Sequence, residues 1–415
     1  MRYTIVSCVF PPEATVSSRT SFDVAQALAK AGHDVTVITG FPNRPEGRIY
    51  PGYQRHFTKR EHSEAGFEII RCFTFFSRRS TLLSRLVENI TFGITSLVAL
   101  LGEPESDAIY SNTWPILASG LLALFVRARK IPMLISVQDV YPESLIVQGR
   151  LRKRSVLARL LFRLDGVIAR SARTVVVITP MMAVEYAASR RLDPSCVLVV
   201  RNWMSGEWME EGIDPLVLRE NAGIPPQAFV FGYGGNIGVA ASVETTIEAF
   251  RWLGDLKHVH LLVGGSGSSM DSCRQLAESV ASDRIHFQSP WKGTADLLQA
   301  ADALLLPTRG AQSMASVPSK LISYMLAGKP TVALAVEGSD TQAVIEEANA
   351  GWVLPPDDPE ALAGVLRMIV SLPPHELSRR GSSAQAYANA NLSRAAGLPR
   401  VLHALEAIAG TNEQP

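Results

Sequence analysis

The sequence predicts an α/β protein of two Rossmann-like domains, each a parallel sheet covered by helices. Three observations carry this. The chain has 415 residues, 47% hydrophobic and 19% charged, too long for one ordinary core and enough for two domains of about 200 residues each. Short apolar strands alternate with helices through both halves, the pattern of parallel sheets covered on both faces. Charge is also divided: residues 1–205 hold 26 Lys/Arg against 16 Asp/Glu, which leaves 14 against 23 of the 40 and 39 in the whole chain. The overall +1 therefore hides +10 in the first half and −9 in the second. Two domains with different partners fit that split, the basic one facing an anionic surface or acceptor.

In the first half, Tyr3–Val9 is an apolar strand running into Pro11-Pro12. Ser21–Ala31 is a helix with Phe22, Ala25, Leu28 and Ala29 on one side, stopped by Gly32. Asp34–Thr39, Glu68–Cys72, Ala108–Tyr110, Met133–Val137 and Thr174–Ile178 read as buried strands, with helices such as Leu117–Arg129 and Val156–Ala169 between them. In the second half Phe229–Tyr233, His260–Val263, Arg284–Phe287, Ala303–Leu306 and Thr331–Leu334 are strands, and Val243–Leu253 is a helix. The turn-rich, acidic stretch from Asn202 to Pro226 reads as the linker. The expected domains are 1–205 and 206–389, and a helix near Arg394–Ala409, within 390–415, is expected to pack back on the first.

Cys8, Cys72, Cys196 and Cys273 are isolated and read as reduced thiols of a cytoplasmic protein. The start is a strand rather than a signal peptide. No apolar run reaches the roughly 18 residues of a spanning helix; the longest, Ile90 to Leu101, is broken by Thr91, Gly93, Thr95 and Ser96.

The chemistry concentrates in the second half. Gly232-Tyr233-Gly234-Gly235-Asn236-Ile237-Gly238 follows a strand and precedes a helix, and Gly264-Gly265-Ser266-Gly267 repeats the arrangement one strand later. Such turns let the backbone approach a phosphate, with a helix N-terminus behind it. Two of them in successive βα units open at one sheet edge, where such sheets bind ligands. The strand ending at Pro307 leads into a loop with Arg309 and then a helix beginning near Pro318-Ser319-Lys320. A lysine in a helix's first turn opposes the dipole, which a bound anion would relieve. Arg309 and Lys320 are the candidates for neutralising a diphosphate. Trp291 follows the strand ending at Phe287 and is a candidate base platform.

Other chemistries lack their parts. The turn after the first strand is Val9-Phe10-Pro11-Pro12-Glu13, not GxGxxG, and no GxxxxGK[ST] loop occurs. No DxD occurs either, so no metal and no cofactor are expected, and nucleic acid is not an expected partner. His258 and His260 alternate on one strand face and read as a surface strand.

A set of motifs in order along the chain then resembles the GT4 family of retaining glycosyltransferases, in its bacterial surface-polysaccharide branch. They are Phe10-Pro11-Pro12-Glu13, Gly32-His33-Asp34-Val35 through Phe41-Pro42-Asn43, Gln138-Asp139-Val140-Tyr141-Pro142-Glu143-Ser144, Arg201-Asn202-Trp203, Gly235-Asn236-Ile237-Gly238, Arg309-Gly310-Ala311, Pro318-Ser319-Lys320 and Ala327-Gly328-Lys329-Pro330. The resemblance implies the GT-B architecture, two Rossmann-like domains with parallel sheets facing a central cleft. The second domain would bind a nucleoside diphosphate-sugar, the donor substrate, and the first the acceptor, without a metal. Positive side chains and helix ends would stabilise the departing diphosphate.

The chain departs from the family pattern in ways that shift these roles. The two glutamates usual before Ala-Gly-Lys-Pro fall on Ala315 and Ser323, the second being the usual ribose partner. The usual Arg and Lys after the first strand of the second domain fall on Asn236 and about Ala241, which places the burden on Arg309 and Lys320. The usual first-domain histidine is Gln138, next to Asp139, able to donate a hydrogen bond but not to act as acid or base near pH 7. Gly235, Asn236, Gly238, Gly265, Gly267, Trp291, Ser319 and Arg19 are the expected donor-binding residues, with Pro11 to Arg19 a loop over the reacting centre. Glu13 and Ser18 are the expected acceptor-binding residues, and Asn202 and Trp203 the expected hinge.

The acceptor expected from this reading is a lipid-linked saccharide of O-antigen, capsule or exopolysaccharide synthesis, and the resemblance implies a UDP-linked donor. Gly149 to Arg173 holds eight basic residues and one acid, Asp165, among leucines, and Arg78, Arg79 and Arg85 precede the apolar run near Ile90. Basic amphipathic helices lie on anionic lipid, so peripheral contact with the inner face of the cytoplasmic membrane is expected. Two other classes share parts of this reading. A non-hydrolysing nucleotide-sugar epimerase has the fold but needs a carboxylate and histidine cluster not visible here. A catalytically inactive nucleotide-binding subunit of a synthesis complex would explain the missing glutamates.

Overall fold

The computed structural model describes all residues except 14, 45–46, 78–80, 114, 148, 205–213, 282, 289–293, 310–316 and 411–415. Trp291 of the expected donor site, Arg78, Arg79, Gly310, Ala311 and Ala315 lie outside the described residues. The chain divides into two compact units, Met1–Asn202 with Gly397–Pro415, and Trp203–Ala396. The division falls three residues before the boundary read from the sequence.

The first unit is a doubly wound sheet. In chain order its elements are β1 (Arg2–Ser7), α1 (Val16–Lys30), β2 (Asp34–Gly40), β3 (Thr58–His62), β4 (Glu68–Cys72), α2 (Leu82–Gly102), β5 (Ala108–Asn112), α3 (Ile116–Arg129), β6 (Met133–Val137), α4 (Glu143–Val147), α5 (Val156–Ala169), β7 (Thr174–Val177), α6 (Pro180–Arg190) and β8 (Val197–Val199). The eight strands run β3-β4-β2-β1-β5-β6-β7-β8, and only β3 is antiparallel to its neighbour. Central strands such as β5 and β6 are buried along their whole length, as parallel strands covered on both faces must be. The edge strand β3, Thr-Lys-Arg-Glu-His, is mostly exposed and carries no apolar residue to betray it.

Two expectations for this unit need correction. Helix α1 begins at Val16, not Ser21, because the Thr15 hydroxyl accepts from the Ser18 amide and caps it. Ser18 and Arg19 therefore sit in the first turn of a helix and not in a loop. Helix α2 is also longer than the apolar run read from the sequence. Its interrupting Thr91, Gly93, Thr95 and Ser96 are all helical, so Leu83–Gly102 is long and apolar enough by composition to cross a membrane, although 44% of it is buried inside the fold.

The second unit is α7 (Pro215–Asn221), β9 (Phe229–Asn236), α8 (Val243–Ala249), β10 (Val259–Ser266), α9 (Met270–Ala281), β11 (Ile285–Gln288), α10 (Thr294–Ala300), β12 (Ala303–Pro307), α11 (Ser319–Leu326), β13 (Thr331–Leu334), α12 (Asp340–Glu347), β14 (Gly351–Leu354), α13 (Pro359–Val370) and α14 (Pro374–Asn391). A last helix, α15 (Arg394–Gly410), begins in this unit and continues in the first. The six parallel strands run β11-β10-β9-β12-β13-β14, with separate apolar cores on the two faces. The stretch read as linker holds α7, capped by Asp214, with Arg219 bonded to Asp302 and to the Ala300 carbonyl. His260 is no surface residue. It is buried, and its Nδ1 lies 2.9 Å from Nε2 of His286 on β11, while His258 precedes the strand.

Candidate active site

In an open parallel sheet, ligands gather at the carboxyl ends of strands where the order of connections reverses. In the second unit that point is between β9 and β12. The two strands pair only at Ala303–Phe231 and Leu304–Gly232, whereas β9 stays paired with β10 to its last residue, Asn236 with Ser266. The final four residues of β9 thus part from β12 and open a crevice.

Helix α11 fills the floor of that crevice. Tyr324 donates to the Gly234 carbonyl at 3.2 Å and accepts from the Gly234 amide at 2.9 Å. One turn earlier, Lys320 Nζ donates to the Tyr233 hydroxyl at 2.7 Å and reaches the Asn236 carbonyl at 3.4 Å. Its ammonium also lies 4.9 Å from the centre of the Tyr233 ring. No carboxylate pairs with it among the described residues, and burial alone pulls its pKa down to about 8. Helix α11 opens at Pro318 with no side-chain cap, so its positive end faces the same crevice. Lys320 is thus a half-buried cation among neutral oxygens in the first turn of a helix, a setting that favours an anion nearby.

Arg309, Asn236, Gly238 and Ser319 belong to the turns and helix start at this same edge of the sheet, whereas Arg19 lies in the first unit. The Arg309 amide donates to the Ala240 carbonyl at 3.2 Å, tying the loop after β12 to the turn after β9. Its side chain is exposed and enters no ion pair among the described residues. Asn236 is exposed beside it, Gly238 is partly covered, and Ser319 is exposed in the first turn of α11.

The glycines read as a phosphate cradle also meet a steric demand within the fold. At Gly235 (φ +143°) a Cβ would lie 2.2 Å from Lys320 Cε, and at Gly265 (φ +144°) it would lie 1.8 Å from the Gly235 carbonyl oxygen. Gly267 is crowded in the same way by the Ile237 carbonyl. These residues let β9 and β10 run together and give the lysine stem its passage. A short 3-10 turn, Val239–Ala241, separates the first glycine run from α8, so no helix follows it directly. Ser323, on the usual ribose glutamate position, is buried with its hydroxyl directed to Ser319 O and Met204 Sδ.

The first unit reverses between β1 and β5, and its carboxyl edge has another character. Asn112, ending β5, donates to Ser7 Oγ and Ser21 Oγ at 3.0 and 2.8 Å, but its Oδ1 is buried without a partner. The same is true of Gln138 Oε1 just after β6, Ser18 Oγ in the first turn of α1, and Thr39 Oγ1 near the end of β2. Gln138 Nε2 donates to Ser136 Oγ at 3.0 Å. Buried polar atoms left unpaired cost about 1–3 kcal/mol each, and these four lie in segments at the carboxyl edge of this sheet. Arg19 is exposed beside Ser18 on the same helix turn.

Glu13 is corrected by its contacts. It is buried, and Oε1 accepts from the amides of Asn43 and Arg44, both at 2.9 Å. It therefore anchors two motif loops to each other and is not offered to an acceptor hydroxyl. Burial raises its pKa against those bonds. Asp139 bonds within its own loop, to Ser144 and the Val140 amide, while desolvation raises its pKa.

The sequence reading missed Arg190. This arginine, fully buried at the end of α6, binds both oxygens of Glu143 at 2.5 and 2.7 Å, Asp165 Oδ2 at 2.7 Å and the Tyr141 carbonyl at 2.9 Å. It clamps the loop that follows Gln138 and Asp139. Arg71 does the same for the first loop, reaching the Pro11 carbonyl at 2.8 Å and Glu61 at 2.8 Å. Neither has a local sequence signal, because the partners of Arg190 lie 25 to 49 residues away.

Two such doubly wound parallel sheets in one chain are the GT-B architecture. Solved structures match nearly the whole chain: Anabaena Alr3699/HepE in complex with UDP (14% identity, 98% of this chain and 100% of that one, TM-score 0.71), WaaG, a glycosyltransferase of lipopolysaccharide biosynthesis (18%, 97% and 99%, 0.69), and sucrose-phosphate synthase of Thermosynechococcus elongatus (17%, 99% and 100%, 0.70). At these identities they speak to the fold.

Sequence comparison reaches the family. Residues 17–203 match the glycosyl transferase 4-like domain and residues 228–371 the glycosyl transferases group 1. WbjE of Pseudomonas aeruginosa, named as a glycosyltransferase, is 30% identical over 332 residues, 78% of this chain and 80% of that one. WcaI of Escherichia coli K12, named as a glycosyl transferase of colanic acid biosynthesis, is 22% identical over 92% of this chain and 95% of its own. The chain belongs to the GT4-type glycosyltransferases, in the branch that contains WcaI.

Proposed function

We propose that the enzyme transfers a sugar, with retention of configuration, from a UDP-linked donor to a lipid-linked saccharide in bacterial surface-polysaccharide synthesis. The observation that carries the donor side is Lys320, an uncompensated ammonium at the β9/β12 crevice. A diphosphate there restores its missing partner, and Arg309 and the open N-terminus of α11 add charge at the same edge. UDP is favoured because HepE structures contain UDP and UDP-glucose.

In the reaction the bond from the donor's anomeric carbon to the diphosphate oxygen breaks. A bond to the acceptor oxygen forms on the same face, and the acceptor proton passes to the leaving phosphate. Lys320 and Arg309 stabilise the charge that builds on the diphosphate, and no metal or cofactor is assigned a role. Asn236, Gly238 and Ser319 border the phosphates, and Trp291 is assigned to the base. The unpaired groups of Ser18, Asn112 and Gln138 bind hydroxyls of sugar or acceptor, Gln138 orienting rather than exchanging a proton, with Arg19 beside them. Asp139 is kept as a hydroxyl ligand at the loop mouth. The resemblance to WcaI supports a surface polysaccharide as product, and the basic segment from Gly149 to Arg173 supports work at the inner face of the cytoplasmic membrane.

Calorimetric binding of UDP, GDP and dTDP, followed by transfer from the matching sugar donors to lipid-linked acceptors, tests this. UDP binding with acceptor-dependent release of UDP is expected. Tight nucleotide binding without transfer to any acceptor would instead make the chain a nucleotide-binding subunit.

A further inference from the structure

Strand β9 ends between two tyrosines. Tyr324 of α11, in the core on one face of the sheet, holds both the amide and the carbonyl of Gly234. Tyr233 belongs to the core on the other face and is fully buried. Its hydroxyl turns back to the strand end and meets the Asn236 carbonyl at 2.7 Å. Lys320 comes from the Tyr324 side. Its stem passes Gly235, where a Cβ would lie 2.2 Å from Cε, and its ammonium ends 2.7 Å from the Tyr233 hydroxyl. A lysine rooted in one layer is thus held by a phenol rooted in the other.

Chemistry fixes the direction of these bonds. An ammonium has three hydrogens and no lone pair, so the Tyr233 oxygen accepts from Lys320. A carbonyl only accepts, so the single phenolic hydrogen goes to Asn236 O. The phenol is thereby a locked acceptor. Among the described residues Lys320 bonds only to Tyr233 and, at 3.4 Å, to Asn236 O, which leaves at least one N–H for an incoming ligand.

The acceptor is also neutral. Burial first, then the nearby Tyr324, Cys273 and Glu244, pushes the Tyr233 pKa far up, so the phenol stays protonated. Glu244 on α8, the carboxylate of that group, forms no ion pair with Lys320 among the described residues, and burial is what shifts the lysine. A carboxylate in place of the phenol would hold the ammonium but cancel its charge. A bare ring would leave the charge but let the flexible four-carbon stem wander.

We infer that Tyr233 is a positioning residue of the transferase: its locked hydroxyl fixes the Lys320 ammonium at the end of β9 without neutralising it, so that the full charge meets the leaving diphosphate. The inference rests on the reading that Lys320 meets the diphosphate, and the two can be tested apart.

The test compares Tyr233→Phe, Lys320→Ala and the double variant in donor turnover, and in nucleotide affinity between about pH 7 and 9.5. Phenylalanine keeps the buried ring and its contact with the ammonium, 4.9 Å from the ring centre, and removes only the oxygen. Turnover is expected to fall about tenfold, with kcat and kcat/KM lowered alike. The alkaline loss of nucleotide affinity should begin about one pH unit lower, because the ammonium has lost an acceptor. In the Lys320→Ala background, Tyr233→Phe should add no further loss. A second variant places 4-aminophenylalanine at position 233. Its amino group still donates to Asn236 O but is a poor acceptor, so it should behave as Tyr233→Phe does. Wild-type turnover and pH profile in Tyr233→Phe, full rescue by the amino variant, or an equal loss from Tyr233→Phe when Lys320 is already absent would each overturn the inference. Unchanged kinetics in Lys320→Ala would remove the diphosphate reading beneath it, whereas a large effect of Lys320→Ala with none from Tyr233→Phe would sink the positioning role alone.

Discussion

Arg190 and Lys320 are both cations withdrawn from water, and they differ in what surrounds them. Arg190 is fully buried and lies between two carboxylates, Glu143 and Asp165, which hold its charge in place and raise its pKa. Lys320 has a tyrosine hydroxyl and a carbonyl, and its pKa falls to about 8. A buried charge whose partners come from its own chain is committed to structure. A buried charge without them has kept its capacity for a partner that arrives from outside. The same contrast separates the two sheet edges: the first presents unpaired neutral atoms, suited to hydroxyls, and the second presents spare positive charge, suited to phosphates.

Removing each cation should therefore have opposite consequences. Arg190→Met strands Glu143 and Asp165 and should cost about 3–5 kcal/mol of folding stability, read by chemical denaturation, with little effect on nucleotide affinity. A loss below about 1 kcal/mol would mean that the carboxylates find other partners, and the contrast would collapse. Lys320→Ala should leave stability within about 1 kcal/mol, because it deletes a charge whose burial only neutral partners offset and Tyr233 keeps its bond to Asn236 O. Its turnover should fall by about 10²–10³. Unchanged kinetics would remove Lys320 from the site.

The pH dependence sharpens the same point. The free enzyme holds Lys320 with a pKa of about 8, and a bound diphosphate must raise it. Nucleotide affinity should then be full below pH 8 and fall by up to about tenfold per unit as pH rises above it. In Lys320→Ala that slope should vanish. A wild-type affinity that stays flat between pH 7 and 9.5 would show that the ammonium does not meet the phosphates.

Most of the architecture was legible because parallel strands buried on both faces announce themselves as short apolar runs. Met133–Val137 and Val156–Ala169 could be read to the residue. Strand β3 could not, since an exposed edge carries no apolar pattern. The start of α1 was misplaced because its cap, Thr15, lies before the hydrophobic periodicity begins. Lys320 was legible from a local conflict with the helix dipole. Glu13 and Arg190 were not, because their meaning lies in bonds to residues about 30 and up to 49 positions away. The glycines are legible as places where a backbone must pass closely, but not for what passes there: Gly235 stands against the Lys320 stem and Gly265 against the neighbouring strand.

The histidine pair gives the smallest effect and tests the same rule on a neutral pair. His260 and His286 share one imidazole–imidazole bond inside the sheet, and the folded protein holds both rings neutral. Desolvation first, then the neighbouring His286 and Arg284, lowers the His260 pKa to about 4; desolvation lowers that of His286 as well. Above about pH 8 neither the folded nor the unfolded state protonates these rings to any extent, so they carry no penalty there. As pH falls from 6.5 towards 4, the unfolded chain takes up protons that the folded one refuses, and stability drops. Between pH 7 and 5 the loss from this pair should be about 1–3 kcal/mol, measured as a shift in urea midpoint. Replacing both rings, His260→Leu with His286→Leu, removes the refused protons, so the double variant should lose less than the wild type over the same interval. Equal losses in the two proteins would place the acid sensitivity elsewhere, and the pair would then be no more than a polar contact between two strands.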